Sequence, residues 1–185
     1  MGACDGMVHI RRARASDARG MAEVHVQTWQ ETYRDQLPGL LLKAVSVDAH
    51  ESHWRNELRA MSPERRPWVA EANGRIVGFI AAGTARDETA GPLTGEVYAI
   101  YVLSDCWDRG VGRNLLAHAE HDLLNHGYNQ AVLWVLADNL RARALYEQAD
   151  WHADGGTKND AIGDQRVTEV RYRIALERSR VAELV

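Results

Sequence analysis

Apolar and polar positions alternate along Val8-His9-Ile10-Arg11-Arg12-Ala13, and this period of two predicts a first strand. Ser16 or Asp17 can cap the helix that follows. In that helix Ala22, Val26, Trp29 and Tyr33 recur at helical spacing and share one face, until Pro38-Gly39 stops it. Trp54, Leu58 and Met61 repeat the spacing in a second helix, and Pro63 to Pro67 read as a loop. Trp68–Ala72, the pair Asn73-Gly74 and Arg75–Ala82 form a hairpin signal, because Asn-Gly tolerates the positive φ angles of a type I′ turn. A polar loop over 84–94 leads into Val97–Leu103, a continuous apolar run that reads as a buried central strand. Asn114–Leu124 reads as a helix whose apolar positions Val111, Leu115, Ala119 and Leu123 keep helical spacing, with Gly127 as its C-terminal cap. Gln130–Leu136 is a strand apolar enough to be buried on both faces. Asp138-Asn139 can cap a short helix holding Ala142, Leu145, Tyr146 and Ala149. A strand near Trp151–Ala153, a polar loop from Gly155 to Asp164 and an alternating strand over Val167–Leu176 complete the chain, with a frayed tail over 177–185.

The order is strand, two helices, three strands, helix, strand, helix, two strands. It is not a regular βαβ alternation, and it predicts an α/β fold of the α+β type: a mixed sheet with helices on both faces. The chain has 185 residues, enough for one domain over 1–185 with its core at about 8–176.

Trp107-Asp108-Arg109-Gly110-Val111-Gly112-Arg113 stands where the central strand gives way to a helix. Glycine lets backbone N–H groups crowd around a ligand, and a helix N-terminus adds unpaired donors and the positive end of the helix dipole. Together they suit a phosphate or pyrophosphate; a tight turn without a ligand is the plainer alternative. A Walker loop would need Lys and then Ser or Thr after its last glycine, and Arg113-Asn114 stand there instead. A dinucleotide fingerprint would need three glycines at fixed offsets, and only two are present.

Composition narrows the rest. Hydrophobic content of 45% and charged content of 26% are those of a soluble globular protein. A net charge of −4 gives no support to a nucleic-acid or polybasic membrane role. No apolar run approaches the ~20 residues of a membrane span, and the start lacks the apolar core of a signal peptide. Cys4 and Cys106 form no spacing motif, so a reducing cytoplasm is the simplest setting. His118, His121 and Asp122 lie near one another on the central helix without a third ligand at a convincing spacing, so no metal is expected.

The glycine turn resembles the acyl-CoA pyrophosphate loop of the Gcn5-related N-acetyltransferase (GNAT) family, whose motif is Gln or Arg, two residues, Gly, one residue, then Gly or Ala. Gly110-Val111-Gly112 matches its end, Arg109 and Arg113 match its basic neighbours, and Trp107 departs from its Gln or Arg. Asn139-Leu140-Arg141-Ala142-Arg143-Ala144-Leu145-Tyr146 is similar to the family's Asn-x-x-Ala-x-x-x-Tyr pattern, followed by Asp150-Trp151 where Gly-Phe is common. The element order also matches, so the resemblance covers about Val8 to Leu176. It implies a mostly antiparallel sheet in which two parallel central strands, here Val97–Leu103 and Gln130–Leu136, splay apart around the cofactor.

The resemblance further implies acetyl-CoA as cosubstrate. The backbone of Ile100, Tyr101 and Val102 would pair with the pantetheine amides like an added strand. Trp107, Asp108, Arg109, Gly110, Val111, Gly112 and Arg113 would hold the pyrophosphate, and Asn139 and Tyr146 would border the pantetheine arm. An alkylammonium, with a pKa near ~10.4, must lose a proton before it attacks, and the departing thiolate gains from receiving one. Tyr146 would give the proton to the thiolate, and Glu96 would take the amine's proton through water; Tyr98 and His25 are substitutes for Glu96. Trp29 and Tyr33 would wall the acceptor site, which takes a primary amine of a small molecule or peptide. Cys106 offers a covalent route that direct transfer does not need. Dimers are common in the family. A catalytically weak acyl-CoA sensor and a nucleotide-binding protein using the same turn are the rival readings.

Overall fold

The computed structural model describes residues 4, 6–32, 46–62, 65–162 and 165–177. Among the described residues the chain is a mixed α/β protein of seven strands and four helices. In chain order the elements are β1 (Val8–Arg12), α1 (Ala18–Thr32), α2 (Val47–Ala60), β2 (Trp68–Ala72), β3 (Arg75–Thr84), β4 (Thr94–Val102), α3 (Val111–Asn125), β5 (Gln130–Leu136), α4 (Leu140–Gln148), β6 (His152–Ile162) and β7 (Gln165–Ala175). The sheet runs in the order β1-β2-β3-β4-β5-β7-β6. Two compact units divide the chain, Met1–Ala81 with Ala99–Leu115, and Ala82–Tyr98 with Leu116–Val185.

In the first unit β1, β2 and β3 form an antiparallel meander, with Val8 opposite Ala72 and Trp68 opposite Ile80. Asn73 and Gly74 both take positive φ, 52° and 74°, as the type I′ hairpin requires. α1 buries Met21, Ala22, Val24, Val26 and Thr28. Its apolar face is thus turned slightly from the expected one, and Trp29 is only half-buried. Tyr33 and the stop at Pro38-Gly39 lie outside the described residues. Neither Ser16 nor Asp17 caps α1 directly. Both sit in a 3-10 turn, Ala15–Asp17, where the Asp17 carboxylate accepts the Arg14 N–H (2.7 Å) and two N–H groups of Arg11 (2.7 and 3.0 Å). α2 begins at Ser46, whose hydroxyl accepts the Ala49 N–H, and buries Trp54 and Leu58.

In the second unit the parallel ladder joins Thr94–Val97 of β4 to Gln130–Leu133 of β5. The strand expected from Val97 therefore begins three residues earlier, at Thr94, because Thr94 and Glu96 are buried polar residues that hide its start from an apolar scan. β5 pairs along its whole length with β7 and buries Ala131, Val132 and Leu133 fully. Gly127, at φ 88°, follows the end of α3 and donates to Leu124 O. The expected polar loop over 155–164 is largely strand. β6 runs from His152 to Ile162 against β7, interrupted by a register shift between Ala153 and Thr157. It is the sheet's terminal strand, so polar side chains serve it on both faces. Arg171 and Arg173 of β7 grip Asp154 (2.9 and 3.0 Å), and Arg171 also reaches Asp87 at 2.7 Å. The tail is described only to 177.

Candidate functional site

The first unit carries the glycine turn. β4 ends at Val102, the Leu103 N–H donates to Val77 O (2.9 Å), and a 3-10 turn, Ser104–Cys106, swings the chain round. Asp108 (φ 58°) and Gly110 (φ 77°) are both left-handed, and the Asn114 N–H closes the first helical bond on Gly110 O at 2.9 Å. A Cβ built on Gly110 would have no atom within 4 Å, so the side of the backbone that a side chain would cover opens outward. Aspartate tolerates the left-handed region better than most residues; glycine enters it freely. Val111 is buried as the helix's first anchor, while Arg109, Gly110 and Arg113 are exposed.

Trp107, the departure from the motif, has a structural task. Its indole N–H donates to Val102 O at 2.8 Å and ties the turn to the end of β4. A second tie escaped the sequence. Cys4 and Cys106, separated by 102 residues, form a disulfide, and Arg109 Nη1 donates to the Cys4 carbonyl at 2.6 Å. Cys106 is therefore no free nucleophile, and the cysteines give no support to a reducing setting.

In the same unit His25 of α1 stacks on Tyr101 of β4, with centroids 4.5 Å apart, and meets His50 of α2 at 4.2 Å. Its Nδ1 is buried without a hydrogen-bond partner. Burial, with the neighbouring charges of His50 and His53, lowers its pKa to about 4, so the ring is neutral at physiological pH. Burial likewise raises the Tyr101 phenol.

The second unit carries the remaining candidates. Glu96 is 3% exposed. Its Oε2 accepts the Arg86 N–H (2.7 Å), and its Oε1 accepts Nε and Nη2 of the same arginine (3.1 and 2.6 Å). The Arg86 guanidinium lies 4.2 Å over the Tyr98 ring, and the Tyr98 hydroxyl donates to Thr84 O. Burial, and then the charge of Glu96, raises the Tyr98 phenol. Arg86 was not anticipated: it lies in a loop whose polar sequence gives no sign that it turns back on the strand.

Asn139 Oδ1 accepts the Ala142 N–H at 3.1 Å and caps α4, as its position suggested. Tyr146 is buried, its ring 6.4 Å from Trp151 and 5.9 Å from Tyr172. Asp150 takes φ 63°, the conformation that a glycine at this point would serve, and the Trp151 N–H donates to Tyr146 O at 2.9 Å. The Trp151 indole donates to the buried Glu120 carboxylate at 2.7 Å. The departure from Gly-Phe is thus accommodated locally. Among the described residues no three His, Cys, Asp or Glu side chains come together as a metal site, and no helix is long and apolar enough to cross a membrane.

A model described as the acetyltransferase (GNAT) family matches residues 23–151, a span that holds the glycine turn, Glu96 and Tyr146. The chain belongs to this family. It is 34% identical over 134 residues to the uncharacterized N-acetyltransferase YuaI of Bacillus subtilis (strain 168), covering 72% of this chain and 74% of the relative. It is 28% identical over 171 residues to the "Probable N-acetyltransferase Rv2775" of Mycobacterium tuberculosis, covering 90% of this chain and 93% of that one. The solved PaiA N-acetyltransferase of Thermoplasma acidophilum, in complex with coenzyme A, superposes with a TM-score of 0.67 at 17% identity, over 91% of this chain and 99% of that one. The chain is an acetyltransferase with the GNAT fold.

The histidine shift makes stability depend on pH in a fixed direction. In the unfolded chain His25 binds a proton near its ordinary 6.5, but in the folded chain only near 4. The unfolded state therefore holds more protons between these values, and stability falls as pH drops from 6.5 towards 4. Between pH 6.5 and about 5 the loss from this residue is about 1 kcal/mol, half the full conversion, because the ring is partly exposed to solvent. Urea midpoints measured across that window should fall less steeply for His25→Phe than for the parent chain. Equal slopes would show that His25 is not the group concerned.

Proposed function

We propose that this acetyltransferase moves the acetyl group of acetyl-CoA directly to a primary amine of a small molecule or peptide. The observation that most supports this reading is the turn. Two left-handed residues present the start of α3 with its backbone open on the glycine side and arginines at 109 and 113. An N-terminal helix turn of this kind offers N–H donors and a positive dipole end to a pyrophosphate. In this reading residues 107–113 hold the pyrophosphate, and the backbone of Ile100, Tyr101 and Val102 takes the pantetheine arm. Val102 O already accepts the Trp107 indole, so the arm shares that carbonyl or uses its neighbours. Asn139, fixed by its capping bond, borders the arm. Trp29 walls the acceptor.

The chemistry then runs in one displacement. The neutral amine nitrogen attacks the acetyl carbonyl carbon, and the carbon–sulfur bond breaks. Glu96 takes the amine's proton through water; its Oε2 accepts a single hydrogen bond from Arg86 and has a further lone pair. Tyr146 gives its hydroxyl proton to the departing thiolate. An ordinary phenol, with a pKa near ~10, is protonated at neutral pH and can do so.

Release of free thiol from acetyl-CoA across an amine library is the general test; release with no amine of the library would count against acetyl transfer to an amine. Gly110→Val forces a β-branched residue into a left-handed backbone and puts methyl groups on its open side. The CoA dissociation constant should rise at least about tenfold, about 1.4 kcal/mol; a folded variant with unchanged affinity would remove the turn from the cofactor site. Tyr146→Phe keeps the ring and should lower kcat by about 10²–10⁴ with little change in CoA affinity; near-normal kcat would leave Tyr146 as a packing residue. Glu96→Gln should lose most rate at low pH, where fewer amines are already neutral. An unchanged pH–rate profile would assign Glu96 to its ion pair with Arg86 alone.

A further inference from the structure

The two cysteines are 102 residues apart in sequence, yet they meet at the base of the glycine turn, with Cα atoms 5.4 Å apart. Cys106 closes the 3-10 turn that launches Trp107–Gly110, its N–H donating to Leu103 O at 2.9 Å. Cys4 lies four residues before Val8, which is paired with Ala72 in the sheet. The covalent bond therefore fastens the turn to a segment that β1 itself holds down. A second, non-covalent tie lies beside it: Arg109, a basic residue of the turn, donates to the carbonyl of Cys4 at 2.6 Å. Both cysteines are buried, at 4% and 1% exposure.

We propose that Cys4 and Cys106 are a reversible thiol–disulfide pair whose oxidised form braces the turn for CoA and whose reduced form loosens it. This rests on the reading of the turn as the CoA pyrophosphate site. Oxidised, the start of the turn is fixed covalently and Arg109 is aimed by a carbonyl that cannot drift. Reduced, the turn keeps its own backbone bonds but loses the covalent brace, and Arg109 loses a fixed partner. Ordering that the bond had supplied in advance must then be met from the binding energy, which weakens affinity. The tether is short: four residues span at most about 14 Å, so the reduced thiols stay near each other and the bond can re-form.

Reduction proceeds by two exchanges. The thiolate of a small thiol attacks one protein sulfur; the S–S bond breaks, and the other cysteine leaves as a thiolate that takes up a proton. A second thiol attacks the mixed disulfide and frees the remaining cysteine as a thiol, together with the small-molecule disulfide. Two electrons pass from the two small thiols to the protein pair. Because both sulfurs are buried, the attack requires a local opening at the bond.

The test uses acetyl-CoA, which has no free thiol of its own, titrated calorimetrically into the air-oxidised chain and into the chain reduced with dithiothreitol. Mass spectrometry after alkylation verifies each state. The Kd should be at least about threefold higher in the reduced chain. By reciprocity, saturating acetyl-CoA should shift the reduction equilibrium against dithiothreitol by the same factor. Cys4→Ser, checked for an intact melting transition, should bind like the reduced chain and ignore dithiothreitol. Equal or tighter binding after complete reduction overturns the proposal and leaves the CoA site standing, as does the finding of two free thiols in the air-oxidised chain. Failure to bind acetyl-CoA in either state overturns the reading of the turn, and the proposal with it.

Discussion

The chain must leave an extended strand at Val102 and begin a helix at Val111 without covering the first turn of that helix, and the rest of the first unit serves this requirement. Only a backbone that enters the left-handed region twice makes the bend in so few residues, and Asp108 and Gly110 do so. A turn of this kind has little intrinsic stability, because left-handed residues cost energy unless the surroundings hold them. The surroundings here are four ties from different parts of the unit. Leu103 bonds to Val77, Trp107 to Val102, Arg109 to Cys4, and Cys106 is joined covalently to Cys4. Buried Val111 and Leu115 then anchor the first turns of the helix. A glycine-rich loop is often pictured as loosely held; this one is tied at four points and open on one side.

What was legible in the sequence was what a local pattern encodes. Alternation marked β1 and β7, helical spacing marked the four described helices, and an apolar run marked β5, because each buries one face or both. The Asn73-Gly74 turn and the Asn139 cap were legible because each is decided by a few neighbouring residues. β6 was legible only at its start, near His152–Ala153. The rest is an edge strand that contains Gly155 and Gly156 and buries little, so its polar residues look like loop. Of the candidate site, the glycine turn and the Asn139–Tyr146 helix could be read directly. The partners could not: Arg86 on Glu96, the Trp107 bond to Val102 and the Cys4–Cys106 bridge are chosen by the fold, not by spacing. Asp150 shows the same limit from the other side. At the motif level it looks like a loss, but its φ of 63° shows that the backbone requirement is met without glycine.

The candidate proton carriers differ because their burial is resolved in different ways. Glu96 enters the interior against Arg86, whose guanidinium donates to Oε1 and whose backbone N–H donates to Oε2. A buried carboxylate without such a partner would be prohibitively costly. His25 enters without a partner at Nδ1, and it escapes the same cost by remaining neutral, which the nearby His50 and His53 reinforce. The two residues are thus opposite in character: Glu96 has a guanidinium partner, whereas burial, reinforced by His50 and His53, keeps the His25 ring uncharged. For an ammonium that must lose a proton before it attacks, the distinction matters. The carboxylate accepts three hydrogen bonds from Arg86. The neutral imidazole can accept a hydrogen bond without repelling the cation, but with a pKa of about 4 it is a weak base.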